Sequence, residues 1–417
     1  MERVILVDAN INNNLDFEDA LEEMKSLVEA CEMEVVKTFT QNMKYPNKNT
    51  FIYSGKIQEI AQWIEAEAID MVVFGKDLTA SQQKELQKYW PVPVIDRTFL
   101  IVKIFEKRAK TKEAFLQVEV AMLKYLKPRL KGSYLQLDRQ RGGGHNKGSG
   151  EKQIEIDTRN ITKQISQREK ELKELEKQRS IQRNRRNQSG IKKVALVGYT
   201  NTGKSSILNQ VMKYSKKEEK LVFEKNMLFA TLTTNTREVV LSNNHRFLLS
   251  DTVGFVSNLP HDLVEAFHST LEEVKEADLL IHVLDDHSKR KDIQLETTNQ
   301  TIETLQASNI PVLYVYNKRD LSNKQYPLAY EDKVYISAKE DASTQFLLHE
   351  IDRRLFKDIS VKLLIPYSKG SLINKMNSLY HVLFQENRED GIYLEVEMDE
   401  KDFHLVKEYA IHELSIE

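Results

Sequence analysis

The stretch KVALVGYTNTGKSSILNQVM, residues 193–212, decides the fold class of this chain. An apolar run of strand length leads into Gly198-x4-Gly203-Lys204-Ser205, and apolar side chains then recur at helical spacing. A strand, a glycine-rich loop and a helix in this order form the context that the P-loop pattern requires. Glycine allows the turn, and backbone N–H groups at the helix start converge on phosphate oxygens. The stretch therefore predicts a site for a nucleoside triphosphate.

The side chains of this loop supply a charge and metal ligands. We expect Lys204 to place its charge on the β- and γ-phosphates and the Ser205 hydroxyl to occupy a Mg²⁺ coordination position. Asn201 carries a carboxamide that, in loops of similar sequence, helps to hold K⁺ near the phosphates, so K⁺ is a second candidate cofactor. The nucleotide-binding residues predicted here are Gly198, Tyr199, Thr200, Asn201, Thr202, Gly203, Lys204, Ser205 and Ser206.

Three further motifs follow, each after an apolar run of strand length. HRFLLSDTVGF contains Asp251-x-x-Gly254, whose carboxylate can hold Mg²⁺ through water and whose glycine N–H can meet a γ-phosphate. IPVLYVYNKRD contains Asn317-Lys318-x-Asp320, and the Asp320 carboxylate can accept two hydrogen bonds from guanine. Adenine lacks both donors, and an unpaired buried carboxylate costs about 1–3 kcal/mol or more, which favours guanine.

The fourth motif, KVYISAKE, places the backbone of Ser337, Ala338 and Lys339 where it can reach guanine O6. Four such motifs in this order resemble the Ras-like GTPase domain. Phe255 comes directly after Gly254, where many Ras-like proteins place a glutamine that orients the attacking water. Phenylalanine can neither donate nor accept a hydrogen bond, so no catalytic side chain is predicted. We expect slow hydrolysis by the chain alone, with a partner completing the site.

Composition changes divide the rest of the chain. Residues 1–108 alternate strand and helix patterns, which predicts a small α/β domain with a largely parallel sheet. Residues 109–190 hold two amphipathic helical patterns joined through 142–150, which contains five glycines. They predict a long antiparallel helical hairpin with a glycine-rich tip loop and a basic linker. Residues 191–358 are the predicted Ras-like domain, and residues 359–417 are a small α+β domain that ends in a helix.

The predicted hairpin carries the charge asymmetry of the molecule. The whole chain has a net charge of −2, yet between Lys124 and Lys193 there are 20 Lys and Arg residues against 8 Asp and Glu. Such an excess indicates either a polyanionic partner or a solvated helical face. The apolar stripe predicted for the first helix of the hairpin is formed by Phe115, Val118, Met122, Tyr125 and Leu126.

Two further features bear on the compartment. Cys31 is the single cysteine, which excludes internal disulfides and suits a reducing environment. The apolar run at the N-terminus is too short for a signal peptide or a membrane span. We therefore expect a cytoplasmic protein.

Nearly the full chain resembles the HflX-type ribosome-associated GTPases, in which these four parts occur in this order. The resemblance rests on VIDRTFLIVKIFEKRAKTKEAFLQVEV, on LFATL in switch I, and on Phe255 in place of the catalytic glutamine. It selects Thr231 as the second Mg²⁺ ligand from the threonines of LFATLTTNTRE, namely Thr231, Thr233, Thr234 and Thr236. Three departures, Lys147 for Arg, Ser149 for Pro, and Thr233-Thr234 for Asp-Pro, indicate a divergent branch, specialised for a modified or drug-bound ribosome.

The resemblance implies that the hairpin enters the large ribosomal subunit and that its loop approaches the peptidyl-transferase centre. The residues then expected to contact RNA are Arg139, Arg141, Gly142, Gly143, Gly144, Lys147 and Lys152. The implied function is the GTP-dependent splitting and recycling of stalled or stressed 70S ribosomes by a protein that is monomeric off the ribosome. Two alternatives stay open at this point: a ribosome-assembly or rRNA-remodelling GTPase without splitting activity, and a signalling switch with a protein partner.

Overall fold

The computed structural model describes residues 1–130, 147–187, 190–215, 235–255 and 273–411. Within these ranges the chain forms two compact units. One contains residues 1–185 and the short segment 253–255, and the other contains residues 186–215, 235–252 and 273–411. No helix in the described ranges is long and apolar enough to cross a membrane.

The N-terminal domain is a four-stranded parallel sheet with the order β2-β1-β3-β4. The central strand β1 has consecutive buried residues from Val4 to Ala9, because helices cover both faces of such a sheet. Its elements are β1 Glu2–Ile11, α1 Phe17–Ala30, β2 Met33–Met43, α2 Ser54–Ala66, β3 Met71–Phe74, α3 Ala80–Leu86, β4 Val94–Ile95 and α4 Arg97–Arg108. The predicted α/β domain with a parallel sheet is present.

Asp96 fixes the point at which the chain leaves this domain. It caps α4 by accepting a hydrogen bond from Phe99 N at 2.9 Å, and its other oxygen accepts from Leu78 N at 3.2 Å. Arg129 donates to that second oxygen at 2.9 Å, and its guanidinium stacks on the Tyr125 ring at 3.5 Å. Asp96 therefore ties the end of the first hairpin helix to the N-terminal domain.

Two helices follow, α5 Lys112–Leu126 and α6 Lys147–Asn187. Ion pairs join them, with 3.1 Å between Lys124 Nζ and a Glu169 carboxylate oxygen and 3.0 Å between Arg168 Nε and Glu119. The apolar stripe predicted for α5 is wrong in part: Val118 and Tyr125 are buried, whereas Phe115 and Leu126 are exposed. Met122 is half-buried. The other buried residues of α5 are Glu113, Ala114, Leu116, Gln117, Val120 and Ala121.

The Ras-like domain contains a seven-stranded sheet with the order β10-β11-β9-β8-β5-β7-β6. The pairs β6·β7 and β10·β11 are antiparallel, and the other pairs are parallel. Its elements are β5 Lys192–Val197, α7 Lys204–Tyr214, β6 Asn235–Val240, β7 Arg246–Asp251, β8 Leu279–Asp285, α8 Lys291–Thr304, β9 Val312–Asn317, β10 Leu328–Tyr330, β11 Lys333–Tyr335 and α9 Asp341–Leu355. Because β5, β8 and β9 run parallel, their carboxyl ends and the motifs that follow them meet at one edge.

The C-terminal domain is an antiparallel sheet with the order β12-β14-β13 and one covering helix. Its elements are β12 Asp358–Ile365, α10 Gly370–Leu379, β13 His381–Arg388 and β14 Gly391–Asp399. The predicted α+β class is present, but the predicted final α-helix is wrong. Two short 3₁₀ segments, Glu400–Leu405 and Lys407–Tyr409, occupy that place.

Candidate functional site

The loop between β5 and α7 needs glycine at two positions. Gly198 has a φ of 143°, and a Cβ there would collide with the Val283 carbonyl oxygen of β8. Gly203 has a φ of 97°, and a Cβ there would collide with the Asn317 side chain. Both glycines therefore combine a left-handed backbone with a close approach that excludes a side chain.

Lys204 lies inside this loop as a buried cation. Its Nζ donates hydrogen bonds to the carbonyl oxygens of Gly198 at 3.0 Å and Tyr199 at 2.7 Å, and the residue is only 6% exposed. Burial lowers the pKa of Lys204 to about 8, although the charge of Asp251 opposes this shift. Phosphate oxygens would replace the carbonyls with charged acceptors, which bind an ammonium group more strongly.

Ser205 and Asp251 meet beside the loop. The Ser205 Oγ donates to Asp251 Oδ2 at 2.7 Å, and pairing of Leu196 in β5 with Asp251 in β7 sets this proximity. Hydroxyl and carboxylate oxygens are the ligands that Mg²⁺ prefers, together with substrate phosphates. No group of three or more His, Cys, Asp or Glu side chains in the described ranges could hold a metal by itself. The residues present thus fit a Mg²⁺ ion that is shared with phosphates.

Asn317 links the two halves of the site. Its Nδ2 donates to the Thr202 carbonyl oxygen at 2.9 Å, and its Oδ1 accepts from Ala338 N at 2.9 Å. The side chain is 2% exposed. The carboxamide therefore holds the phosphate loop and the KVYISAKE motif in fixed positions, which brings together sequence motifs that are far apart in the chain.

Asp320 stands in a cluster of donors. Its Oδ1 accepts from Ser337 Oγ at 2.9 Å, and its Oδ2 accepts from Lys339 Nζ at 3.0 Å. Partial burial acts to raise the pKa of Asp320, but the hydrogen bonds from Lys339 and Ser337 outweigh it and lower that pKa. The carboxylate is therefore charged at neutral pH, and each of its oxygens accepts a hydrogen bond from the KVYISAKE motif.

Residues beyond the predicted motifs support the same cluster. Lys318 has a φ of 63°, and its Nζ lies 2.8 Å from Asp285 Oδ2 at the end of β8. Arg319 forms an ion pair with Asp286, and its guanidinium lies 4.5 Å from the centre of the Tyr335 ring. The pair Asp285-Asp286 at the end of a buried strand is the sequence signal for this support.

The remaining predicted residues differ in how they are placed. Tyr199, Thr200 and Thr202 are buried, Ser206 is half-buried, and Asn201 is exposed with a φ of 62°. Gly254 and Phe255 are buried in the other compact unit. Thr231 and the RNA-contact candidates Arg139, Arg141, Gly142, Gly143 and Gly144 lie outside the described residues. Lys147 and Lys152 belong to α6, and their side chains are likewise outside the description.

The chain matches three sequence families. Residues 18–106 match "GTP-binding GTPase N-terminal", residues 108–186 match "GTP-binding GTPase Middle Region", and residues 193–318 match "50S ribosome-binding GTPase". Among solved structures, the complex of SsGBP with GDP superimposes with a TM-score of 0.50 at 25% identity, over 85% of this chain and 98% of that one.

Curated relatives match over nearly the whole length. GTPase HflX of Caldanaerobacter subterraneus subsp. tengcongensis is 42% identical over 398 residues, which cover 95% of this chain and 91% of the relative. GTPase HflX of Alkalihalophilus pseudofirmus is 37% identical, with 100% and 95% covered. GTPase HflX of Escherichia coli is 36% identical over 405 residues, with 95% and 93% covered.

Proposed function

Because this chain belongs to the HflX family of ribosome-binding GTPases and hydrolyses GTP, we propose that it binds the large ribosomal subunit in its GTP form and splits stalled or stressed 70S ribosomes. Ribosome recycling would follow from this splitting. The observation that carries the proposal is the near-complete coverage of both chains in the match to other HflX GTPases. The matches therefore extend over the basic arm, the nucleotide site and the C-terminal domain of this chain.

GTP is proposed to occupy the edge of the sheet where the four motifs meet. Lys204 and the backbone N–H groups of the loop would bind the β- and γ-phosphates, and Asp320 would accept the two guanine donors. When bound, Mg²⁺ would supply positive charge that offsets the phosphate charge. Ser205 and Thr231 would be its protein ligands, and Asp251 would hold one of its waters.

Hydrolysis on this site is proposed to depend on the ribosome. Phe255 is 4% exposed and has no polar atom in its side chain, so it cannot orient water. The missing orientation must come from another group, and a ribosomal partner can supply it after docking. We also propose that K⁺ bound near Asn201 contributes to hydrolysis. Comparison of GTPase rates in KCl and in NaCl at equal ionic strength tests this contribution.

The arm formed by α5 and α6 is proposed to make the RNA contact. The segment from Lys124 to Lys193, which contains all of α6, carries the positive excess of 20 basic against 8 acidic residues, and this excess favours a polyanion. Binding of this kind weakens steeply with added salt, because neutralised phosphates release counterions. We further propose that the protein is a cytoplasmic monomer that associates with ribosomes and acts on stressed or drug-bound ones.

Light scattering of 70S particles tests splitting. Addition of the chain with GTP or a non-hydrolysable analogue should lower the scattering, whereas addition with GDP should not. A large-subunit complex that forms with GTP while the scattering stays constant would instead favour an assembly or remodelling GTPase. A GTPase rate that is the same with and without ribosomes would point to a signalling switch with another partner.

A further inference from the structure

His245 joins the Ras-like domain to the C-terminal domain. It ends the turn between β6 and β7, residues 241–245, and its ring lies between two carboxylates. The Nδ1 atom is 2.6 Å from Asp352 Oδ1 in α9, and the Nε2 atom is 3.0 Å from Asp358 Oδ2 at the start of β12. The ring also stacks on Phe356, with centroids 4.0 Å apart. The turn is thus held against the connection between the two domains.

Two asparagines of the same turn add contacts on both sides. Asn243 Nδ2 donates to Asp352 Oδ2 at 2.7 Å. Asn244, which has a φ of 68°, donates from its Nδ2 to the Tyr380 carbonyl oxygen at 3.1 Å, directly after α10. The turn therefore contacts the last helix of the Ras-like domain and both the first strand and the helix region of the C-terminal domain.

The ring of His245 carries a positive charge in this position. Both of its nitrogens face carboxylate oxygens, and only the protonated ring has two donors. Burial acts to lower the pKa of His245, but the hydrogen bonds to Asp352 and Asp358 outweigh it and raise that pKa to about 9. These two are the charged groups that face the ring among the described residues, since the turn contributes amides and Tyr380 contributes a carbonyl oxygen.

The opposite end of the β6–β7 hairpin lies at the nucleotide site. The antiparallel ladder runs from Val240 paired with Arg246, beside the turn, to Asn235 paired with Asp251. Asp251 in turn accepts the hydrogen bond from Ser205 in the phosphate loop. One continuous ladder of strand length, about 17–20 Å, therefore connects the phosphate loop with the turn that holds His245.

We propose that this hairpin carries the nucleotide state to the C-terminal domain, with His245 as the positioning residue that fixes the turn to β12. A shift of β7 that follows new contacts of Asp251 moves the turn, and the ion pair between His245 and Asp358 passes this movement to β12. Because such coupling is reciprocal, a partner bound to the C-terminal domain also changes the relative affinity of the site for GTP and GDP. This coupling requires nucleotide binding only and does not depend on ribosome splitting.

Hydrogen exchange of the full chain tests the coupling without ribosomes. Peptides covering β12 and β14 are compared with GDP and with a non-hydrolysable GTP analogue bound. In the wild type their exchange rates should differ between the two nucleotides by about fivefold or more, and His245→Gln should remove most of that difference. Asp358→Asn, which takes away one carboxylate, should reduce it. GDP affinity confirms that each variant is folded.

His381→Gln is the matched control, because His381 Nδ1 also lies 2.8 Å from a carboxylate, Glu397 Oε2, but within the C-terminal sheet. It should leave the nucleotide-dependent difference intact. The proposal is overturned if wild-type β12 exchanges equally in both nucleotide states. It is also overturned if folded His245→Gln and Asp358→Asn retain the full difference.

Discussion

Asn317 Nδ2 lies 2.9 Å from the Thr202 carbonyl oxygen, so a residue of the guanine motif holds the phosphate loop directly. The same carboxamide accepts a hydrogen bond from Ala338 N. One buried side chain thus connects the glycine-rich loop with the KVYISAKE motif. Recognition of guanine and grip on the phosphates are therefore expected to fail together when this residue is changed.

Asn317→Ala should weaken GDP and GTP binding alike, by about 10- to 100-fold. The substitution leaves the Thr202 carbonyl and the Ala338 N–H without their partner, and a total cost of about 1–3 kcal/mol to the binding-competent arrangement corresponds to this range. Titration with a fluorescent nucleotide measures the effect. Asn299→Ala, an exposed asparagine of α8, is the control and should bind normally. Unchanged affinity in Asn317→Ala would show that the bridge is dispensable.

Asp320→Asn should change the base preference of the site from guanine to xanthine. In the proposed site the carboxylate would accept from two guanine N–H groups, whereas an amide offers one acceptor and one donor, which suits the C2 carbonyl of xanthine. GTP affinity should fall by roughly 10-fold or more, and xanthosine triphosphate should bind better than GTP. Competition binding checks both, with exposed Asp332→Asn as the control. Retained GTP preference would remove Asp320 from the base site.

Lys204 should take up a proton when nucleotide binds near pH 8. Its pKa is about 8 because the side chain is buried, and added phosphate charge raises that pKa further. Calorimetry in buffers of different ionisation enthalpy should therefore give different apparent binding enthalpies at pH 8. Lys204→Ala should lose nucleotide-dependent activity, while exposed Lys213→Ala on the same helix should keep it. Buffer-independent enthalpies in the wild type would contradict this account.

Two histidines, His245 and His282, should make the free energy of unfolding depend on pH in opposite directions. The pKa of His245 is raised from 6.5 to about 9, so its stabilisation is full below pH 6.5 and is lost as the pH rises through about 9. A shift of this size corresponds to at most about 3 kcal/mol, and solvent screening reduces it to roughly 1–2 kcal/mol. Thermal unfolding of His245→Gln should therefore differ from wild type at pH 6.5 and converge with it above pH 9.

His282 should affect the stability of the protein at acidic pH. Burial, and secondarily the charge of Lys204, lowers its pKa from 6.5 to about 3, so the neutral ring contributes stability that is full above pH 6.5 and is lost as the pH falls toward 3. His282→Leu should be less sensitive to acid than the wild type in the same unfolding experiment. Equal acid sensitivity of the two proteins would show that groups other than His282 cause the loss of stability at low pH.

Local patterns predict where the four motifs lie in the fold, because each motif comes at the end of its own strand. Gly198 and Gly203 could be recognised from spacing alone, and the structure gives both a positive φ. The bridge made by Asn317 could not be predicted, because its partners Thr202 and Ala338 are distant in sequence and meet only after the sheet forms. The support of Lys318 by Asp285 depends on the same tertiary arrangement.

The wrong predictions lie where one spacing of apolar residues fits two structures. Phe403, Val406 and Tyr409 recur every third residue, which suits an α-helix and equally a 3₁₀-helix with three residues per turn. The short 3₁₀ form is the one present. Periodicity predicts that Phe115 lies in the buried stripe of α5, but Phe115 is exposed, whereas its neighbours Ala114 and Leu116 are buried. Periodicity gives the existence of a face more reliably than its centre.

Sedimentation of the purified chain with large ribosomal subunits tests the central claim most directly. The chain would be loaded with a non-hydrolysable GTP analogue, with GDP or with no nucleotide, at one fixed salt concentration. We predict that it pellets with the subunits in the triphosphate state and largely remains in solution in the other two. Equal sedimentation in all three states would contradict control of ribosome binding by GTP.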